Sequence, residues 1–320
     1  MSEVKSVPLE HSEVNRKRWI RILAGVGWSV LCSALFLAVA AGSFLGGQAL
    51  GKRTVSWLAT PARGVIAISA ALLLVWGLRV KVNRRPWAGM MLPRLQAGRL
   101  SSGAICGCSA ILLVMGMEAA RGWIHFSRIA SEPHGGIPNK WMIWLQLIPS
   151  LGTGFSEELV YRGYIFQTMA ERTKVWVAAL ASQSLFAVVH IVGAPYLTLT
   201  TLLCIMIVGL SFLAMRFVTG SLWFPVGFHA MFDWTQTFPF GLTVGSGPDP
   251  SLVHVHLSGP TLWVSGDNDF GLLYLLSVLL TLAIALTYGW YTGNTIPWNS
   301  LLAENVSGGS RRTLPSSFTR

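Results

Sequence analysis

Three clusters of ionisable side chains interrupt apolar stretches in the second half of this 320-residue chain. The first is Ser156-Glu157-Glu158-Leu159-Val160-Tyr161-Arg162, the second Phe186-Ala187-Val188-Val189-His190, the third His229-Ala230-Met231-Phe232-Asp233. A charged group at the centre of a bilayer costs on the order of 2.5–3.5 kcal/mol even on the lenient insertion scale. Two adjacent glutamates there need partners, protons or a water-filled cavity. On a helix, Glu158 and Arg162 stand at i and i+4 and share a face, which suits an ion pair. Glu157 points about 100° away and is free to face something else. His229 and Asp233 repeat the i, i+4 spacing, and two such residues can hold one metal ion or one substrate group. A carboxylate in a membrane cavity can act as base and then acid, and a histidine beside it can share the proton. Each cluster alone has a plainer reading: an interfacial helix end, a hydrogen-bonded core histidine, an interhelical polar contact. Together, in one membrane core, they are much more specific than any one alone. A fourth place, Glu118 near Arg121, reads as a helix-end pair.

The elements that must position these groups are transmembrane helices. The chain is 52% hydrophobic and 12% charged, with mean hydropathy +0.54. Soluble domains carry about twice that share of charge, so a water-soluble enzyme and a disordered protein are both excluded. Apolar runs long enough to span lie at about Ile22–Leu45, Gly64–Val80, Gly98–Ala120, Trp141–Val160, Val175–Gly193, Tyr196–Val218, Ser221–Gly241 and Phe270–Trp290. The sequence therefore predicts an all-α polytopic bundle of about eight helices. Residues 1–15 and 304–320 read as disordered, 16–130 as N-terminal transmembrane helices, and 131–303 as the transmembrane core that carries the three clusters. Arg16, Lys17, Arg18 and Arg21 precede the first run, which is longer than a signal-peptide core, so a retained anchor is favoured despite Ala38-Val39-Ala40. Cys32, Cys106, Cys108 and Cys204 all lie in apolar stretches and read as small core residues.

The net charge of +11 reflects topology rather than nucleic-acid binding, because the basic residues flank the spans. With eight crossings, 18 of the 24 Lys and Arg fall on the side holding both termini, which places both termini in the cytoplasm. The chain is expected to be integral to a bacterial plasma membrane. Glu157 and His190 are 33 residues apart, with a turn near Glu171–Lys174 between them. Each lies roughly 24 Å of helix from that turn, so the two share a depth. His229 follows the Thr219-Gly220 turn closely enough to reach mid-bilayer. Read literally, the site opens away from the cytoplasm, towards the 242–269 loop, which contains no Lys or Arg.

In this order and setting, Glu157-Glu158-x-x-x-Arg162, Phe186-x-x-x-His190 and His229-x-x-x-Asp233 resemble the motifs of the CPBP intramembrane proteases. That family includes the type 2 CAAX prenyl proteases and the bacteriocin-processing or Abi proteins. The likeness covers about Leu145–Phe240, including Gly220-Ser221-Leu222-Trp223-Phe224-Pro225 ahead of His229. It implies an endopeptidase acting within the bilayer on a membrane-embedded or lipidated peptide. By that resemblance, Glu157 and His190 activate a water, His229 and residue 233 stabilise the oxyanion, and Glu158 and Arg162 order the site. Prenylated substrates would argue for a cytoplasmic opening, against the helix arithmetic.

Asp233 is the awkward position. The family pattern allows Asn or Asp, and only Asn donates a hydrogen bond to an oxyanion while an ionised Asp repels it. A zinc-dependent hydrolase, with Glu157, His190, His229 and Asp233 as ligands, therefore remains open beside metal-independent catalysis. Metal-free chemistry is favoured because neither cysteine ligands nor a His-Glu-x-x-His core is present. Two further classes remain: a secondary transporter, since intramembrane Glu, His and Asp also mark ion paths, and a membrane scaffold. No paired broken segments favour the transporter.

Overall fold

The long apolar runs form helices because a chain in lipid must satisfy its own backbone hydrogen bonds. The structure, a computed structural model, describes residues 23–38, 59–129, 139–193, 198–242, 251–260, 262–264 and 271–291, with residues 16, 19, 20, 41, 42, 45 and 293. Both termini and the boundary drawn at residues 130–131 lie outside the described residues. In chain order the helices are α1 (Leu23–Ala38), α2 (Ala59–Trp76), α3 (Ala97–Ala120), α4 (Asn139–Leu145), α5 (Leu147–Glu157), α6 (Phe166–Ala170), α7 (Val175–Gly193), α8 (Leu199–Thr219), α9 (Trp223–Thr237) and α10 (Leu272–Tyr291). Five stretches are long and apolar enough to cross a membrane: Pro61–Val82, Ala97–Ala120, Val175–Val192, Leu199–Thr219 and Leu272–Tyr291. Their outer faces carry exposed Leu73, Ile105, Val192, Leu199 and Ile284, as lipid-facing surfaces do. The chain is an all-α integral membrane bundle, as its hydropathy predicts.

Two local features depart from straight helices. Gly77–Val82 and Glu158–Ile165 are π-helical, continuing α2 and bridging α5 to α6. The fourth expected span, Trp141–Val160, therefore runs on to Ala170 before the turn at 171–174. A small ribbon also pairs β1 (Ile124–Ile129) with β2 (Val253–Leu257), antiparallel.

Helix ends follow local chemistry. The Thr198 hydroxyl accepts from the Thr201 amide at 3.1 Å and caps α8 at its start. Gly220, at φ +67°, ends it in the left-handed region that glycine adopts without strain. Packing against α9 is backbone to backbone. A methyl at Gly103 would meet the Phe224 carbonyl, one at Gly107 the Phe228 carbonyl, and one at Gly227 the Leu100 carbonyl. A methyl at Gly154 would lie 2.9 Å from the Ala230 amide nitrogen, so α5 also touches α9 directly. Small residues are the means of close helix approach in lipid, where apolar burial gives no net drive.

Candidate functional site

The first and third clusters meet where the π segment faces α9. The π turn begins at Glu158, directly after Glu157, and π bulges inside helices are frequent at functional sites. Glu158 is fully buried and one of its oxygens, Oε1, takes two donors. Arg162 Nη1 lies at 2.9 Å and His229 Nδ1 at 3.0 Å. The expected Glu158–Arg162 pair is present, with both side chains fully buried. Arg162 also sits over the ring of Phe186, at 3.8 Å from its centroid, and at 5.3 Å from that of Phe212. Such cation–aromatic contacts partly offset the lost hydration. Glu158 Oε2 and Arg162 Nε and Nη2 have no hydrogen-bond partner among the described residues. A buried pair left partly unsatisfied is poor evidence for stability and points to use.

His229 is the hub. Its Nε2 lies 3.4 Å from Asp233 Oδ2 and 3.8 Å from Glu157 Oε2. Both ring nitrogens therefore face carboxylate oxygens, which only accept. The arrangement is satisfied when both nitrogens carry hydrogen. The ring of Phe212 lies 5.2 Å from the imidazole and walls one side. Openness differs among the carboxylates. Glu158 is sealed, whereas the Glu157 side chain is 21% exposed and that of Asp233 34%.

His190 stands apart. Its Nδ1 is 2.7 Å from the Phe186 carbonyl oxygen one turn back on α7, so Nδ1 carries the hydrogen and Nε2 is left as an acceptor. Among the described residues no hydrogen bond or ion pair joins His190 to Glu157, His229 or Asp233. No group of three or more His, Cys, Asp and Glu side chains among the described residues is arranged to hold a metal ion. Glu157, His190, His229 and Asp233, the four expected zinc ligands, are thus not gathered into one such group among the described residues. The cysteines are free, with Cys32 and Cys204 buried. Glu118 is fully buried in α3, and Arg121 is exposed, with its guanidinium over Trp123 at 5.4 Å.

Sequence reasoning missed Arg216, counting it only as a topology charge. It is fully buried, donates from Nη1 to the Arg162 carbonyl, and from Nη2 to the Gly89 carbonyl at 3.0 Å. A guanidinium set among apolar neighbours in the last turn of an apolar run was the available signal. Arg79, also buried, pairs with Glu171 at 2.7 Å. These two arginines hold the far end of the π segment to the loop after α2.

Residues 139–235 match the family model described as Type II CAAX prenyl endopeptidase Rce1-like. The matched stretch begins with α4 and ends two residues past Asp233. It contains all three clusters, and the match is consistent with a CPBP family intramembrane protease. Neither a curated protein nor a solved structure matches the chain. The match within an apolar bundle supports intramembrane endopeptidase activity in general terms.

Proposed function

We propose that this protein hydrolyses a peptide bond of a membrane-associated or prenylated, CAAX-type polypeptide, using Glu157 as the base. The observation that carries this reading is the division of labour between neighbouring glutamates. Glu158 is buried and committed to Arg162 and His229, while Glu157 is partly open beside the same imidazole.

Glu157 takes a proton from water, and the water oxygen attacks the scissile carbonyl carbon. His190, with Nε2 as its free acceptor, is the second group to hold that water, reached as the substrate closes the site. The carbonyl oxygen becomes an oxyanion next to His229, whose Nε2–H donates to it. Asp233 accepts from the same imidazole and orients it, a role that the carbonyl oxygen of an amide at this position also fills. Glu157 then passes its proton to the departing nitrogen, and the carbon–nitrogen bond breaks. Arg162 and Glu158 hold His229 through Nδ1 throughout.

The test is turnover of a fluorogenic prenylated peptide and its unprenylated counterpart by purified protein in lipid nanodiscs. Cleavage that vanishes in Glu157→Gln supports the reading. No cleavage of any membrane peptide by well-folded protein, or proton-coupled uptake of a solute into liposomes, would replace it with a scaffold or a transporter.

A further inference from the structure

The β1–β2 ribbon lies outside the membrane-spanning helices and gathers three of the chain's seven histidines. His125 on β1 pairs directly with His256 on β2, and His254 holds the register position opposite Arg128. Strand residues alternate between two faces. Ile124, Val253, Val255 and Leu257 are half-buried, whereas His125, His256 and Ser258 are exposed. Positions 254, 256 and 258 thus share the outer face with position 125.

Directly opposed residues of an antiparallel pair hold their Cβ atoms about 4.5–5.5 Å apart. Two imidazoles on such a pair can reach one ion at the usual zinc–nitrogen distance of about 2.0–2.1 Å. One of them is already oriented for it. His125 Nε2 lies 2.7 Å from Ser258 Oγ, and that hydroxyl lies 3.5 Å from the Trp123 carbonyl oxygen. With the hydroxyl directed to the carbonyl, Ser258 accepts from Nε2–H and leaves Nδ1 of His125 as the bare ligand nitrogen. Metal-bound histidines commonly have such an outer partner on their second nitrogen. Neither strand nor its flanks, residues 123–129 and 251–258, contains a carboxylate. The donors are therefore neutral nitrogens, which suit zinc, copper(II) or nickel rather than calcium or magnesium.

We infer that His125 and His256 form a binding site for a divalent ion of the zinc class across the ribbon, with water completing its coordination. This site is separate from Glu157, His229 and Asp233 and does not depend on the chemistry assigned to them. A two-stranded ribbon is marginal by itself, and an ion bridging its strands binds only the paired state and so stabilises it. The ribbon grips the end of α9: the amides of Leu252, Val253 and Val255 donate to the carbonyls of Phe238, Pro239 and Phe240 at 3.1–3.2 Å. Metal binding would thus firm up the exit of the helix that carries His229 and Asp233.

The experiment is a Zn²⁺ titration by calorimetry of the full chain, freed of any affinity tag, in nanodiscs. One equivalent is expected for the wild type. His125→Ala and His256→Ala should weaken it at least tenfold, and Ser258→Ala about 10- to 100-fold, the usual effect of losing an outer partner. Glu157→Gln should bind as the wild type does. Absence of binding by the wild type, or binding that survives His256→Ala or disappears in Glu157→Gln, overturns the site. Cobalt-loaded wild type gives an independent reading that needs no variant. A nitrogen-ligated visible spectrum supports the site, and that of the hydrated ion overturns it.

Discussion

Glu158 and His229 are joined at 3.0 Å through the same carboxylate oxygen that receives Arg162. One oxygen thereby ties α9 to the π segment and fixes the direction of the imidazole. The second ring nitrogen is aimed at Glu157 and Asp233 as a consequence. Neighbouring glutamates in sequence therefore have different environments, and substitutions at the two should separate.

Glu157→Gln should lower turnover at least about 100-fold, the usual scale of acid–base catalysis, with little change in melting temperature. Glu158→Gln should cost both. Removing one partner of a buried ion pair typically costs about 3–5 kcal/mol because the other charge is stranded. Turnover measured beside thermal unfolding of each purified variant checks this. Near-normal activity in well-folded Glu157→Gln removes it as the base.

Whether Glu157 and His190 act as a unit is a separate matter, since nothing in the described contacts joins them. If both hold the attacking water, either single change removes that water's activation, and the double variant Glu157→Gln/His190→Ala should be no slower than the worse single one. Independent roles would multiply the losses. A double-mutant cycle in kcat/KM distinguishes the two outcomes.

Close packing behind the site gives a third prediction. Gly227 is on α9 two residues before His229, and a methyl there would meet the Leu100 carbonyl of α3. Gly227→Ala must push the helices apart, and overpacking of this kind costs roughly 1–3 kcal/mol. Melting temperature and turnover should fall together. Gly116→Ala, on the same α3 but with open space around the added carbon, should change neither.

The bundle was legible because hydropathy and length act locally, and the Glu158–Arg162 and His229–Asp233 spacings are properties of any helix. What escaped was set by contacts between distant segments. The π segment from Glu158 to Ile165 has no signature in apolar periodicity. The buried Arg216 bonds to carbonyls of Arg162 and Gly89, 54 and 127 residues away. Helix rise sets His190 and Glu157 at one depth but carries no information on which way His190 turns about α7. The ribbon was hidden for a similar reason, since Ile124–Ile129 and Val253–Leu257 are short and lie far apart in the chain.

Asp233→Asn separates metal-free from metal-assisted hydrolysis. An amide at this position can donate to an oxyanion where a carboxylate cannot, so activity should be kept or raised. A metal ligand changed in this way should instead lose affinity and activity. Zinc content must be measured in a His125→Ala/His256→Ala background, so that the ribbon contributes none. Activity retained with less than one equivalent of zinc is the expected result. Lower activity with lost zinc would establish the metal role.

Depth along α9 sets the last prediction. Its start is tied to the basic loop after α2, where the Leu222 amide donates to the Met91 carbonyl at 2.8 Å. Its end is tied to the ribbon. His229 lies six residues into this 15-residue helix and Asp233 ten, or about 9 Å and 15 Å from the basic end. The site thus lies from the middle of α9 towards the ribbon, and which compartment it faces depends on the side the ribbon occupies. The charge bias predicts that the basic end lies in the cytoplasm. Single cysteines at Lys81 and at exposed Leu252, in a background lacking the four native ones, report the two ends. On intact cells an impermeant thiol reagent should label the Leu252→Cys protein, and the Lys81→Cys protein only after permeabilisation. The reverse pattern would turn the bundle over, placing Asp233 and the ribbon towards the cytosol, where prenylated substrates arise.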